Sequence, residues 1–242
     1  MTYELRYYRD WVKKDGLVDF EVKDHETDLA VRAEKDLARE TLKLVRRFRA
    51  DIELYADAHP GFLEALTPTP EDAAAPDIVQ AMIQAALVYG VGPMASVAGA
   101  LAEFVGTELL RRTSRVVVEN GGDVFLKMNR PVRLLLYSGE TSPFGGKLLL
   151  KLDAPGEALG ACTSSAHVGP SLSYGHADAV MAIAESAALA DAAATAIGNR
   201  VKSPEDVTGA LEQEQSRGLL RGVVITIGDT LGAFGEIELE EL

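Results

Sequence analysis

Hydrophobic positions along the chain change period several times, and each change marks an element. Residues 5–8 (LRYY) and 17–23 (LVDFEVK) read as two strands around a turn at Lys14-Asp15-Gly16. Residues 27–33 (TDLAVRA) read as a third, with Leu29 and Val31 on one face. From Glu34 the apolar spacing lengthens: Leu37, Thr41, Leu44, Val45, Phe48, Ile52 and Tyr55 trace one side of a helix that Pro60-Gly61 limits. Pro68 and Pro70 then punctuate a loop. A second helix starts at Pro76, whose missing N–H suits a first turn. It runs through Ile78, Met82, Ile83, Ala86 and Leu87, apolar on nearly every turn, and is expected to be buried. The pattern breaks at YGVGP (residues 89–93) and restarts through Ala95, Val97, Ala98, Leu101 and Phe104.

The second half opens on strands. Residues 115–119 (RVVVE) run into Asn120-Gly121-Gly122-Asp123, and VFLKM leaves at once. Asn-Gly is a strong hairpin signal, so turn chemistry is the default explanation of these glycines. Further strands are expected at residues 132–137, 147–152 and 158–163. Residues 178–185 are ambiguous: alanine favours helix, while Val180, Met181 and Ile183 also fit a buried strand. If they form a strand, Ser186 becomes the N-cap of a short alanine-rich helix that stops near Gly198. A polar connection then leads to a strand at residues 221–227, and residues 235–239 close the chain as an edge strand. Strands grouped at both ends around paired helices indicate α+β layers rather than alternating βαβ units.

Composition narrows the partners more than the fold. A chain of 242 residues with 47% hydrophobic and 25% charged content can bury one large core or two intimate ones. Lys+Arg 24 against Asp+Glu 37 gives a net charge of −13, which argues against nucleic acid or an anionic membrane as the main partner. No apolar run reaches membrane-spanning length and the first residues show no apolar signal core, so a cytoplasmic location is expected. The single cysteine, Cys162, excludes an intrachain disulfide framework and a Cys-rich zinc site. It reads as a small buried hydrophobe.

Candidate chemistry concentrates between residues 158 and 200. Asp191 and Thr195 are the polar side chains well inside the alanine-rich helix. Four residues apart, they share one face, which suits a hard cation completed by other oxygens. The alternative is an ordinary solvated face. Gly90, Gly92 and Gly99 would let a phosphate approach bare backbone at a helix amino terminus, or would serve only a helix break and close packing. His167, following Thr163-Ser164-Ser165, could donate to a phosphate or act as acid or base, or simply satisfy a turn. His176 is a second such candidate, and His25 and His59 look structural.

Three motifs in order, ENGGD at residues 119–123, GACTSSAH at 160–167 and ADAAATA at 190–196, resemble those of the ApbE family of flavin transferases. With YRD near the start and ETDL at residues 26–29, the whole looks closest to the UPF0280 branch. The resemblance implies an ApbE-like, T-fold-related α+β fold with antiparallel sheets packed against helix pairs. It implies a single domain of two intimate halves, divided somewhere near residues 115–160. It also implies FAD as ligand or substrate, Mg2+ on Asp191 and Thr195, and FMN transfer to an acceptor protein. Flavin contacts would come from Gly90, Gly92, Asn120, Gly121, Gly122, Asp123, Thr163, Ser164, Ser165 and His167, with His167 and Asp191 in the catalytic roles. Departures accompany it, among them Ser165 where the family has a glycine. The helix start GVGPMASVAG lacks the family's charged residue, and His167-Val-Gly-Pro170 lacks the Asp of the family's H-x-x-D-P. A non-catalytic flavin-binding homologue, or a T-fold enzyme on another heterocycle such as a pterin, are the alternative readings. The apolar helices and edge strands are compatible with a homodimer.

Overall fold

A computed structural model describes residues 16–139, 142–166 and 174–241. The strand expected at residues 5–8 and the candidate His167 lie outside these.

Antiparallel pairing from end to end produces an eight-stranded sheet. Its strands are β1 (Val18–Asp24), β2 (Thr27–Ala33), β3 (Val116–Asn120), β4 (Asp123–Lys127), β7 (Ala158–Ser164), β8 (Ala179–Ala184), β9 (Gly222–Ile227) and β10 (Thr230–Gly235), in that spatial order. A smaller sheet has the order β11 (Glu238–Glu241), β6 (Leu148–Leu152), β5 (Val132–Leu136). The helices are α1 (Ala38–Ala58), α2 (Asp77–Tyr89), α3 (Val97–Leu109), α4 (Ala187–Arg200) and α5 (Asp206–Arg217).

The large sheet is covered on both faces because its central strands alternate between two sets of apolar side chains. Cys162, Val180, Ala182, Val223 and Ile225 face the core shared with the helices, together with Val116, Val118 and Phe125. Their neighbours Ala161, Met181, Ile183 and Val224 face Leu136, Leu150 and Leu152 of the small sheet. Each fully buried aliphatic side chain contributes about 1.5–3 kcal/mol of favourable transfer free energy. The result is three layers: helices, large sheet, small sheet.

Several expectations are decided by this packing. The ambiguous residues form β8, buried at every position, where alanine's helix preference yields to pairing with β7 and β9. The helix stops near Gly198 as expected, ending at Arg200. The polar connection after it contains α5, whose buried positions Val207, Ala210 and Glu214 carry too little hydrophobic periodicity to announce a helix. The chain does close on an edge strand, β11, shifted to Glu238–Glu241 and lying at the edge of the small sheet beside β6, while β10 edges the large sheet. The hairpin β3–β4 turns on Gly121 and Gly122 (φ 69° and 104°), with Asn120 paired to Asp123. Both central residues have positive φ, so the glycine pair and not Asn-Gly sets the turn.

Between α2 and α3 the chain bends by 104°. Gly90 takes the left-handed cap of α2 (φ 71°), and a short 3-10 turn at Pro93–Ser96 leads into α3. Among the described residues no single helix is long and apolar enough to cross a membrane.

Candidate functional site

The alanine-rich helix α4 is enclosed by β7, β8, α2 and α3, which explains its composition: small side chains let four elements close on it. Gly160 sits against the backbone of Ala187, where a Cβ would come within 2.2 Å of Ala187 Cα. Gly198 lies beside Ser164, so β7 runs along the length of α4. Gly99 of α3 closes the other side, where a Cβ would meet Ala187 O at 2.4 Å and Asp191 Cβ at 2.8 Å.

The two helices cap each other at this contact. Asp191 Oδ2 accepts from the Gly99 backbone N–H at 2.8 Å, and Ala98 N–H reaches the same carboxylate. In return Glu103 of α3 accepts from Ser186 Oγ at 2.8 Å and from Ala188 N–H at 3.1 Å, while Ser186 Oγ accepts from Leu189 N–H at 3.3 Å. The expected N-cap at Ser186 is therefore present. Each carboxylate sits at the positive end of the partner helix.

Asp191 is 8% exposed, so it does not lie on a solvated helix face. Asp123, 7% exposed, is close enough that the charge of Asp191 pushes its carboxyl up. Its Oδ1 accepts from the Thr163 backbone N–H at 3.2 Å, and the Cys162 thiol lies beside it. Cys162 is fully buried and donates its Sγ–H to Ala187 O at 3.3 Å. Burial raises the carboxyl of Asp191 to about 7 against the pull of the two backbone N–H groups. Burial, then the neighbouring Asp191, raises that of Asp123 well above the usual range. Burial and both aspartates raise the Cys162 thiol, which makes it a poor nucleophile.

The three motifs thus converge. The first supplies Asp123, the second Cys162 and Thr163, the third Asp191, and the start of α3 completes the group. Asn120 donates from Nδ2 to Ala98 O at 3.2 Å, tying the hairpin to that helix start. Glu119 Oε1 accepts from Gly122 N–H at 2.8 Å and braces the turn. Thr163, Ser164, Ser165 and Thr195 are half-buried. Thr195 lies one turn beyond Asp191.

Other candidates have different surroundings. Gly90 is exposed and serves the helix cap. Gly92 is buried against the loop after α1, where a Cβ would overlap Ala65 O at 1.6 Å. Of the two alternatives for Gly99, close packing is the one seen: it lies against α4 and its N–H is taken by Asp191. His176 is exposed and pairs through Nδ1 with Lys202 O at 3.0 Å. Glu103 and Asp123 were not paired with Asp191 by sequence spacing, since they lie 88 and 68 residues from it. Gly99 was the available signal for the helix contact.

Two buried carboxylates and a hydroxyl one turn away fit the needs of Mg2+, which takes one or two carboxylates and completes its shell with phosphate oxygens and water. Among the described residues neither aspartate forms an ion pair with a lysine, arginine or histidine, and no group of three His, Cys, Asp or Glu is gathered to hold a metal alone. At the adjacent turn a Cβ at Gly122 would meet nothing within 4 Å.

Residues 9–231 match the family model described as AbpE bacteria. The UPF0280 protein of Methanococcus aeolicus is 37% identical over 221 residues, covering 88% of each chain. That of Methanocella arvoryzae is 37% identical over 213 residues, covering 88% of this chain and 86% of the relative. Among solved structures, flavinyl transferase ApbE from Pseudomonas stutzeri, apo form, aligns over 95% of this chain and 96% of its own, with TM-score 0.52 and 14% identity. A mutant of flavin transferase ApbE from Vibrio cholerae aligns over 90% and 96%, with TM-score 0.57 and 12% identity.

Proposed function

Because the chain belongs to the AbpE bacteria family, among the UPF0280 proteins and with an ApbE-type fold, we propose that it is a magnesium-dependent enzyme acting on a flavin dinucleotide of the FAD type. The observation that carries this reading is the convergence of Asp123 and Asp191 in one buried place where, among the described residues, no cationic side chain is paired to either.

When bound, Mg2+ supplies positive charge to the pyrophosphate, which is the main requirement of phosphoryl transfer. Asp123 and Asp191 would hold it, with the Thr195 hydroxyl as a further oxygen. The Gly121-Gly122 turn admits a phosphate close to its backbone, and the Thr163 and Ser164 hydroxyls at the end of β7 offer donors to phosphate or isoalloxazine. Cleavage breaks the P–O bond between the flavin-side phosphorus and the bridging oxygen. AMP leaves with that oxygen, the oxygen of water or of an acceptor protein's hydroxyl bonds to the flavin-side phosphorus, and the proton it loses goes to the departing AMP phosphate or to solvent.

The test is incubation of the purified protein with FAD, with and without Mg2+, measuring AMP release. Release that needs Mg2+ and is lost in Asp191→Asn and Asp123→Asn is the expected result. Both variants keep an amide oxygen in place of the carboxylate oxygen that accepts a backbone N–H, so the fold should survive. Absence of both FAD binding and AMP release would overturn the reading.

A second reading has its own observation. Asp191 spends one oxygen on the start of α3, whose segment GVGPMASVAG carries no charged residue. A protein that holds a flavin without turning it over would bind FAD, show bound-flavin absorbance and release no AMP.

A further inference from the structure

Helix α4 is buried along most of its length, and its open positions fall in a line. Beyond Asp191 the residues that keep some exposure are Thr195, Asn199 and Arg200, and the others up to Arg200 are buried. Asp191, Thr195 and Asn199 stand at four-residue spacing, so they lie one above another on one face. From Asp191 to Asn199 this strip is roughly 12 Å long, at about 1.5 Å per residue. Ser164, half-buried at the end of β7, flanks it beside Gly198.

Tyr174 is fastened at the outer end of the strip. Its backbone N–H donates to Asn199 Oδ1 at 2.8 Å. The next residue, Gly175, lies so close to the helix that a Cβ would overlap Gly198 O at 1.7 Å. His176 N–H then donates to Val201 O at 2.8 Å. Three consecutive residues are fixed to the end of α4, yet Tyr174 itself is 55% exposed. Among the described residues every other Phe or Tyr is buried or half-buried. An aromatic ring left in water on a backbone that is already held makes a stacking platform, because little freedom is lost when a second ring covers it.

Resting on the proposed Mg2+ site and FAD-type substrate, we infer that Tyr174 stacks against the flavin ring and sets the preference of the site for flavin nucleotides. With the pyrophosphate at Asp123, Asp191 and Thr195, the strip leads one half of the dinucleotide towards Asn199 and Tyr174. The flavin half suits this path better than the adenosine half. Its open-chain ribityl reaches further than a closed ribose. Its ring also carries carbonyl oxygens, which adenine lacks, to accept from the Ser164 hydroxyl alongside.

Titration of FMN with the full-length protein in Mg2+ tests this, because the bright emission of FMN in water is quenched by a stacked phenol. The wild-type protein should quench FMN on binding. Tyr174→Ala should bind FMN about tenfold more weakly and quench it less, while its affinity for AMP, read by calorimetry, stays the same. Tyr174→Trp should restore both affinity and quenching, which a tyrosine that only braced the end of α4 would not allow. A Tyr174→Ala protein that binds and quenches FMN as the wild type does would overturn the inference, as would a loss confined to AMP. In either case, Mg2+-dependent AMP release from FAD by the wild type would leave the proposed reaction standing. A wild-type protein that binds neither FMN nor FAD would overturn both.

Discussion

Two carboxylate sites in contact with α4 meet burial in opposite ways. Near its C-terminal end Glu214 of α5 is completely buried, and Arg200 donates to its Oε1 at 2.5 Å while Arg217 lies 3.8 Å from Oε2. Arg217 also stacks over the Tyr89 ring at 4.5 Å and donates to Val88 O at 2.6 Å, binding α5 to the end of α2. Burial, then the nearby Glu214 charge, raises the Tyr89 hydroxyl. In the other half of the helix Asp191 and Asp123, 8% and 7% exposed, accept backbone N–H groups and, among the described residues, pair with no arginine, lysine or histidine. Among the described residues, two arginines serve the one carboxylate and none serves the pair. Buried charge without a counter-charge is costly. The difference sets Glu214 apart as part of an internal ion pair, and the proposed cation site at the aspartates rests on that contrast.

Breaking the arginine side of this comparison should have the largest effect. Arg200→Met leaves Glu214 buried with only the longer Arg217 contact, and a loss of about 3–5 kcal/mol in urea unfolding is expected. Glu214→Leu combined with it should recover most of that loss. At the aspartate side, Gly99→Ala puts a methyl against Ala187 O and Asp191, and should cost about 1–3 kcal/mol by separating α3 from α4. Its Mg2+ response should weaken as well, since the carboxylate shifts with the helix.

The pH dependence sharpens the contrast. Both aspartates have native carboxyl pKa values raised above the unfolded ones, so between about pH 4 and 7 the native state holds more protons than the unfolded state. Their contribution to metal-free stability therefore falls as pH rises through that window, by about 1.4 kcal/mol per pH unit for each extra proton held. Thermal midpoints taken from pH 5 to 7.5 should show this decline, and saturating Mg2+ should flatten it. A decline untouched by Mg2+ would show that no cation joins the pair. The smallest effect is expected for Ser186→Ala. It removes one cap of α4 for about 1 kcal/mol, seen as a small drop in thermal midpoint with the Mg2+ response retained.

Much of the fold was legible because its signals are local. The alternation of TDLAVRA, the stripe from Leu37 to Tyr55 and the glycine pair before Asp123 each announce an element within a few residues. Where the local signal was divided or weak, neighbours decided. AVMAIA became a strand because β7 and β9 flank it, and DVTGALEQEQSR became a helix around three buried positions. The site followed the same division. Asp191 stood out as a carboxylate in an alanine run, whereas its relation to Asp123, Cys162 and Gly99 depends on contacts between residues far apart in the chain.

Taken alone, then, the residue order determined the family likeness, the α+β layering and the three short motifs, because these rest on spacing and on turn residues with few allowed conformations. Tertiary structure decided which charges lose their water. Burial depends on what packs around a residue, and only the closure of α3, α4 and β7 made Asp191 and Asp123 a desolvated pair while Glu214 received its arginines.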